Sequence, residues 1–288
     1  MRALICLSFD SPRRAFLAAA LAALAAIAIP ETGSAQGAPA PSKCMAIAHD
    51  LIRQEKPVRY ASLAPMWPVQ YQPGKVKITY AGHSTYVIET PAGVRAATDF
   101  SGYHGYDPLP RVITMNRAHS THFTMNPDPG IEHVLPGWNP DGDGPAEHRV
   151  VIDDLYVRNV PTDIRMGDYM MKDGNSIFIF EVADLCIGHL GHLHHDLTDA
   201  HYAAIGRLDI LMVPIDGGLT LSHDGMAEIT RRLQSSIVLP MHRRYTTLDR
   251  YLSRVRGDFA VEFRDEDSIT VSIRDLPRQP TIVILKGV

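Results

Sequence analysis

The order of the apolar segments most strongly limits the folds that this chain can adopt. Short runs of alternating or wholly apolar residues come first and predict β-strands. Further along, such runs alternate with segments of helical periodicity, and this order predicts a layered α/β structure. The predicted strands are 76–80, 84–89, 94–98, 111–115, 150–152, 156–160, 177–182, 185–189, 208–214 and 236–240, with two more at the end of the chain, and the predicted helices are 198–206, 223–234 and 248–256.

Composition limits the class of protein and the kinds of partner that can be expected. The chain has 288 residues, of which 45% are hydrophobic and 21% are charged, values typical of a globular protein. The formal net charge of −4 provides no basic surface for nucleic acid, so we expect a small-molecule substrate and no nucleic-acid partner. Residues 126–148 are rich in proline, glycine, aspartate and asparagine, and predict a long irregular loop of the kind that often serves function.

The N-terminus has the layout of an export signal. Residues 16–29 form an apolar run that follows Arg13 and Arg14 and precedes a cluster of small residues. The local sequence resembles a twin-arginine signal, while a Sec signal or an uncleaved anchor remain alternatives. We therefore expect a periplasmic or secreted protein with no stable membrane anchor after cleavage. The predicted divisions are an export signal at 1–35, a linker and N-terminal helix at 36–60, and a folded domain at 61–288.

Three cysteines bear on the redox compartment. Cys6 falls within the signal, which leaves Cys44 and Cys186. These two could pair in an oxidising compartment, or Cys186 could stay a buried free thiol within its apolar strand. No Cys-x-x-Cys spacing occurs, so a thiolate zinc site is not expected.

Histidines cluster at the ends of predicted strands, in four segments. These are Gly82-His83-Ser84, Arg117-Ala118-His119-Ser120-Thr121-His122, His189-Leu190-Gly191-His192 and Pro240-Met241-His242. Their order and spacing, over roughly residues 75 to 245, resemble the metallo-β-lactamase superfamily, particularly its lactonase-like and uncharacterised hydrolases. The resemblance implies an α/β fold, a four-layer αββα sandwich with a metal site along one edge.

The chain departs from the motif of that family, His-x-His-x-Asp-His. Arg117 stands at the first histidine and Thr121 at the aspartate. His192 stands where relatives carry an aspartate that bridges two metals. Near the position of a further family histidine the chain offers only Asp163 as a substitute. One of the two usual metal positions has therefore lost most of its ligands.

The resemblance still implies a site for one divalent metal, held by His119, His122, His192 and His242. Zinc is the expected ion, with iron or manganese as alternatives, because imidazole is a ligand for several transition metals. Since zinc lowers the pKa of bound water to about 7, we expect a metal-bound hydroxide to attack an ester, lactone, amide or phosphoester. A relic site without metal, its histidines held by hydrogen bonds, is the alternative.

Three further residues are candidates for catalysis. Arg117 could bind a substrate carboxylate or phosphate, or it could pair with Asp99 or Asp163 and brace the pocket. Thr121 can form hydrogen bonds but cannot act as a general base at neutral pH. His195 could be a ligand or a proton shuttle, or it could be exposed to solvent.

Alternative interpretations of several other residues, and of the function, stay open at this point. His83 could lie in the pocket or cap a turn, and His189 fits a core histidine better than a ligand. His194 has the same alternatives as His195, and Asp216 could orient a histidine or form a turn. The main alternative function is a catalytically inactive protein of this fold that binds a small anion through Arg117, followed by an oxidoreductase-like or metal-handling role.

Overall fold

The computed structural model describes residues 42–45, 74–105, 108–243 and 247–288. They belong to one unit that spans Ala38–Val288. The predicted signal at 1–35 lies outside the described residues, as does nearly all of the predicted linker and N-terminal helix. Within the described ranges, no helix is both long enough and apolar enough to cross a membrane.

Two mixed β-sheets form the body of the domain. The first contains, in spatial order, β13 (Ser268–Val271), β1 (Val76–Gly82), β2 (Thr85–Glu89), β3 (Arg95–Ala97), β4 (Val112–Met115) and β5 (His133–Pro136). The second contains β12 (Ala260–Phe263), β14 (Thr281–Ile284), β11 (Ile237–Met241), β10 (Ile210–Pro214), β9 (Leu185–His189), β8 (Tyr169–Val182), β7 (Leu155–Met166) and β6 (Arg149–Ile152). The helices are α1 (Asp199–Ile205), α2 (His223–Leu233) and α3 (Thr247–Val255). This arrangement confirms the predicted α/β sandwich.

The burial of each strand follows its sequence pattern. In β1, Val76, Ile78 and Tyr80 point into the main core, while Lys77 is exposed. The parallel strands β9, β10 and β11 are buried at every position because both faces of the second sheet are covered. Since parallel strands end at the same edge, the residues that follow β9 and β11 are brought close together.

A second, smaller apolar cluster covers the outer face of the first sheet. Its buried members are Val87, Ala97, Phe100, Ile113, Met115 and Ile131. Loop residues pack against it, among them Phe123 and Trp138, whose ring centroids are 5.7 Å apart. Because Phe123 directly follows His122, this packing fixes the segment that carries the motif histidines.

The structure corrects three secondary-structure predictions. The loop at 126–148 contains the short strand β5, and three strands rather than two end the chain. The strands β7 and β8 extend well beyond their predicted limits and pair as a long hairpin. The outer part of β8 was missed because it exposes polar residues and also Tyr169 and Met170, so this strand has no clear period of two there.

The segment 42–45 is fastened to the second sheet. Cys44 and Cys186 form a disulfide, with their Cα atoms 5.9 Å apart. The buried carboxylate of Glu181 accepts hydrogen bonds from Ser42 Oγ at 2.5 Å and from Arg158 Nε at 2.8 Å. The disulfide alternative for these two cysteines is thus the one that the structure adopts.

Candidate metal centre

Five imidazole rings gather at the edge where strands of both sheets end. His83 follows β1, His119 and His122 follow β4, His192 follows β9, and His242 follows β11. The rings of His122, His192 and His242 are buried, whereas His83 and His119 are exposed. The cluster therefore has a buried floor and one side open to solvent.

The ring nitrogens converge. One nitrogen from each of His83, His119, His122 and His242 lies within 4.8 Å of the others. The Nε2 atom of His122 is 3.1 Å from that of His242 and 3.4 Å from that of His83. The ring centroid of His192 is 4.4 Å from that of His122. The rings of all four predicted ligands thus lie near one another, but His192 is not among the residues whose nitrogens converge, and His83 takes that place in the group.

A buried carboxylate orients His122. Asp99 is inaccessible to solvent, and its Oδ2 lies 2.7 Å from His122 Nδ1, while its Oδ1 accepts a hydrogen bond from Asn116 Nδ2 at 2.8 Å. Burial alone would raise the pKa of Asp99, but its electrostatic interaction with His122 and its hydrogen bonds with His122 and Asn116 hold this pKa well below its usual range. The ionised carboxylate can only accept, so Nδ1 of His122 carries the proton and Nε2 presents a lone pair to the cluster.

His242 has an equivalent support. Its Nδ1 lies 2.9 Å from Asp216 Oδ2, which also accepts a hydrogen bond from the hydroxyl of Thr220. The other carboxylate oxygen accepts from the main-chain N–H groups of Gly218, Leu219 and Thr220. Burial would raise the pKa of Asp216, but the hydrogen bonds from His242, Thr220 and Gly218 hold it well below its usual range. Nε2 of His242 is therefore also a lone-pair donor.

These tautomers determine what can lie between the rings of His122 and His242. The Nε2 atoms of His122 and His242 both present lone pairs, yet they are only 3.1 Å apart. Two lone pairs at that distance repel each other unless a proton or a metal ion lies between them. A carboxylate behind the far nitrogen is also the usual support for a metal-binding histidine. The donor set therefore fits a divalent cation.

His192 adds an independent sign of a ligand. Its ring is 2% exposed, and neither Nδ1 nor Nε2 has a hydrogen-bond partner among the described residues. Its main chain is fixed, since His192 N donates to Asn175 Oδ1 at 2.8 Å. Burial, then the nearby His122 and His242, lower the pKa of His192, so its ring is neutral. An unsatisfied buried polar group costs about 1–3 kcal/mol, which a bound ion would offset.

His189, by contrast, is fully satisfied within the core. Its Nε2 donates to Ser84 O at 2.8 Å, and its Nδ1 accepts from Gly191 N at 3.1 Å. Both ring nitrogens are occupied by the main chain, so this residue positions the β9 turn and offers no lone pair to the cluster.

Comparison with known proteins agrees with this architecture. Residues 77–242 match the family described as Beta-lactamase superfamily domain. The chain belongs to the metallo-β-lactamase superfamily. That placement confirms the resemblance read from the four histidine segments. A comparison with curated proteins gave no match.

Two solved structures are similar to this chain. A Thermotoga maritima protein, described as a candidate Zn-dependent hydrolase of the superfamily, is 23% identical, with a TM-score of 0.51 over 73% of this chain and 98% of that one. The metallo-beta-lactamase fold protein YhfI from Bacillus subtilis is 10% identical, with a TM-score of 0.49 over 74% of this chain and 97% of that one. At 23% identity, the likeness to the Thermotoga maritima protein establishes the fold alone.

Arg117, at the first histidine of the superfamily motif, is not braced as expected. Its side chain is exposed and forms no ion pair with any described residue, while its main-chain N donates to Gly174 O. The expected pairing with Asp99 or Asp163 is wrong. Asp99 is buried on His122 and Asn116, and the carboxylate of Asp163 accepts from the main-chain N–H of Asp173. Asp163 is also not part of the ligand group.

The other two catalytic candidates differ in their surroundings. Thr121 is exposed beside the motif histidines of this metallo-β-lactamase fold. His195 accepts a hydrogen bond on Nε2 from Asp163 N at 3.1 Å, and its Nδ1 donates to Asp196 O at 2.8 Å. Both nitrogens of His195 are therefore engaged by the main chain, which favours a structural role. Its role as a proton shuttle stays a prediction.

Three features of the centre were not resolved by sequence reasoning. Asp99 was considered only as a partner for Arg117, although its position at the end of a strand hairpin placed it near the motif. His83 was left open between the pocket and a turn, and it is in fact both. Asp216, which the sequence placed at a glycine-rich turn, serves as turn former and as carboxylate support together.

Proposed function

We propose that this protein is an exported, metal-dependent hydrolase that acts on an ester, lactone, amide or phosphoester of a small molecule. The convergence of four histidine nitrogens within 4.8 Å of one another carries the proposal. The orphaned nitrogens of His192 beside them support it.

His119, His122 and His242 would hold the ion, with His192 available as a fourth ligand. A donor set made of imidazoles suits zinc among the divalent metals. When bound, such an ion supplies the Lewis acidity that activates water and polarises a substrate carbonyl or phosphoryl group.

The other residues of the centre prepare the ligands. Asp99 and Asp216 fix the tautomers of His122 and His242, so that neither ring must rotate or lose a proton to bind. The superfamily aspartate is Thr121 here, so a carboxylate base is missing from that motif position. Substrate would enter on the side of His83 and His119, because these are the exposed members of the cluster.

Export is supported by two observations. The N-terminal sequence has the charged, apolar and small-residue order of a signal. The mature part holds a disulfide, Cys44–Cys186, and disulfides persist mainly in oxidising compartments.

The test combines metal content with activity. The protein without residues 1–35 is purified without chelator, and its metal is measured by elemental mass spectrometry beside a His119→Ala, His242→Ala double variant and a His133→Ala control. We expect about one equivalent in the wild type and the control, and none in the double variant. Hydrolysis of a panel of chromogenic esters, lactones and phosphodiesters should stop with chelator and return with zinc. Absence of metal in the reconstituted wild type, or activity untouched by chelator, would contradict the proposal.

A second candidate function rests on Arg117. Its guanidinium is exposed without an ion pair to any described residue, two positions before His119. Such a group can bind a carboxylate or phosphate through two parallel hydrogen bonds. A non-catalytic protein of this fold would then bind a small anion, and Arg117→Ala would abolish that binding in the absence of any turnover.

A further inference from the structure

His83 lies outside the ligand positions that the family resemblance implied, yet its main chain is firmly held. It occupies the turn between β1 and β2 with φ at 52°, in the left-handed region. Its carbonyl accepts hydrogen bonds from His242 N at 2.7 Å and from Tyr80 Oη at 3.0 Å. A residue other than glycine keeps such a conformation only where its surroundings enforce it. The fixed backbone thus holds the ring of His83 in its orientation toward the histidine cluster.

The distances from His83 match those between ligands of one ion. Its Nε2 is 3.4 Å from His122 Nε2, and its ring centroid is 4.2 Å from that of His242. Two nitrogens bound to one tetrahedral zinc lie about 3.4 Å apart, because each Zn–N bond is about 2.0–2.1 Å. His83 is also a member of the group whose nitrogens lie within 4.8 Å of one another.

A hydrogen bond between the two rings explains His83 less well. A separation of 3.4 Å is long, since N–H donors usually sit about 2.9–3.0 Å from their acceptors. The lone pair of His122 Nε2 also has a closer neighbour, His242 Nε2 at 3.1 Å. Because Nε2 of His242 also presents a lone pair, a hydrogen bond from His83 to His122 would leave these two lone pairs facing each other, whereas one ion can bind all three rings.

We propose that His83 is a metal ligand and replaces the imidazole that the chain lacks at Arg117. The first motif position carries a group that cannot coordinate, while a histidine from a different turn reaches the same cluster. The ion would then be held by His83, His119, His122 and His242, the four residues whose nitrogens converge, and His83 rather than His192 would be the fourth ligand. This inference rests on the proposed function and names a ligand for its metal.

The experiment uses Co²⁺, whose visible spectrum reports the number and geometry of its ligands. The disulfide-bonded protein without residues 1–35 is stripped of metal and titrated with Co²⁺, and its affinity and spectrum are recorded. The test variants are His83→Asn and His83→Gly, because asparagine and glycine tolerate a left-handed backbone. His133→Ala is the matched control, and circular dichroism checks that each variant folds.

We expect both His83 variants to bind Co²⁺ at least about tenfold more weakly and with an altered spectrum, since even the loss of an outer-shell partner costs about 10–100-fold. The control should match the wild type. Wild-type affinity and spectrum in folded His83→Asn would overturn the ligand role and leave the proposed function intact. Failure of the wild type to bind Co²⁺ or Zn²⁺ at all would overturn both.

Discussion

The Nε2 atoms of His122 and His242 lie 3.1 Å apart, and a buried carboxylate stands behind each ring. Asp99 and Asp216 both carry pKa values well below the usual range, so both stay ionised and keep the imidazole protons on Nδ1. The two lone pairs are thereby directed at one point before any ion arrives. The centre is preorganised for a cation, although its sequence motif is incomplete.

The first prediction concerns these carboxylates. Asp99→Asn and Asp216→Asn should each weaken zinc binding by about 10–100-fold, because an asparagine amide can donate to Nδ1 and so move the ring proton to Nε2. Competition with a chromogenic chelator measures the affinity. Asp154→Asn is the control, since Asp154 binds Thr90 and the main chain of Ala92. Wild-type zinc affinity in both test variants would contradict the assignment of the two tautomers.

The second prediction concerns Gly191, whose φ is 62°. This residue lies against the side chains of Asn116 and Asn175. A Cβ atom there would collide with Asn116 Nδ2 and lie 2.6 Å from Asn175 Oδ1. Gly191→Ala should lower the free energy of unfolding by about 1–3 kcal/mol and weaken zinc binding, because these amides hold Asp99 and His192.

Gly218→Ala is the control for that substitution. A Cβ atom at Gly218 would meet nothing within 4 Å, and its stability should stay near that of the wild type. Urea unfolding compares the two variants. Equal loss of stability in both, or none in Gly191→Ala, would be inconsistent with the packing described around Asn116 and Asn175.

The third prediction concerns the disulfide. Cys44 and Cys186 are 142 positions apart in sequence, so the bond closes a long loop in the unfolded chain. A Cys44→Ala, Cys186→Ala double variant should lose about 2–5 kcal/mol of unfolding free energy. Reductant should destabilise the wild type and leave the variant unchanged. Equal stability of oxidised and reduced wild type would argue against the bond.

The fourth prediction concerns pH. Burial lowers the pKa of His194 to about 4, against about 6.5 in an unfolded chain. Between these values the unfolded chain binds more protons, so the stability that His194 contributes is present above pH 6.5 and is lost as pH falls toward 4. Urea unfolding of metal-free protein at pH 7 and 4.5 should show a smaller loss in His194→Gln. The same loss in both proteins would contradict this origin.

Glutamine is the appropriate replacement because the His194 ring both accepts and donates. Its Nδ1 accepts from Arg165 N at 3.0 Å, and its Nε2 donates to Leu219 O at 2.5 Å. A glutamine amide has one group of each kind and does not titrate.

The fold could be predicted from sequence wherever burial leaves a recognisable pattern of apolar residues. The continuous apolar runs at β9, β10 and β11 and the helical period of α2 are such patterns, and their order indicated a layered α/β structure. The outer part of β8 exposes Tyr169 and Met170 at neighbouring positions and left no pattern to detect, whereas the outer part of β7 buries Thr162 and Ile164 in alternation and did carry a period of two.

The centre could be predicted only as far as the motif positions reach. His119, His122 and His242 stood at strand ends in the family order, and the structure brings their nitrogens together, with the ring of His192 beside them. Two other facts depend on tertiary placement. The carboxylate of Asp99 faces inward and therefore contacts His122 rather than Arg117. The ring of His83 reaches the cluster because its main-chain carbonyl accepts a hydrogen bond from His242 N.

The most direct test of a metal centre is anomalous diffraction from crystals of the zinc-reconstituted protein, with data collected on both sides of the zinc absorption edge. The account predicts a single anomalous peak about 2.0–2.1 Å from Nε2 of His122 and of His242. No peak at this position in zinc-saturated crystals, with the two rings still facing each other, would contradict it and would mean that the histidines are a relic held by hydrogen bonds.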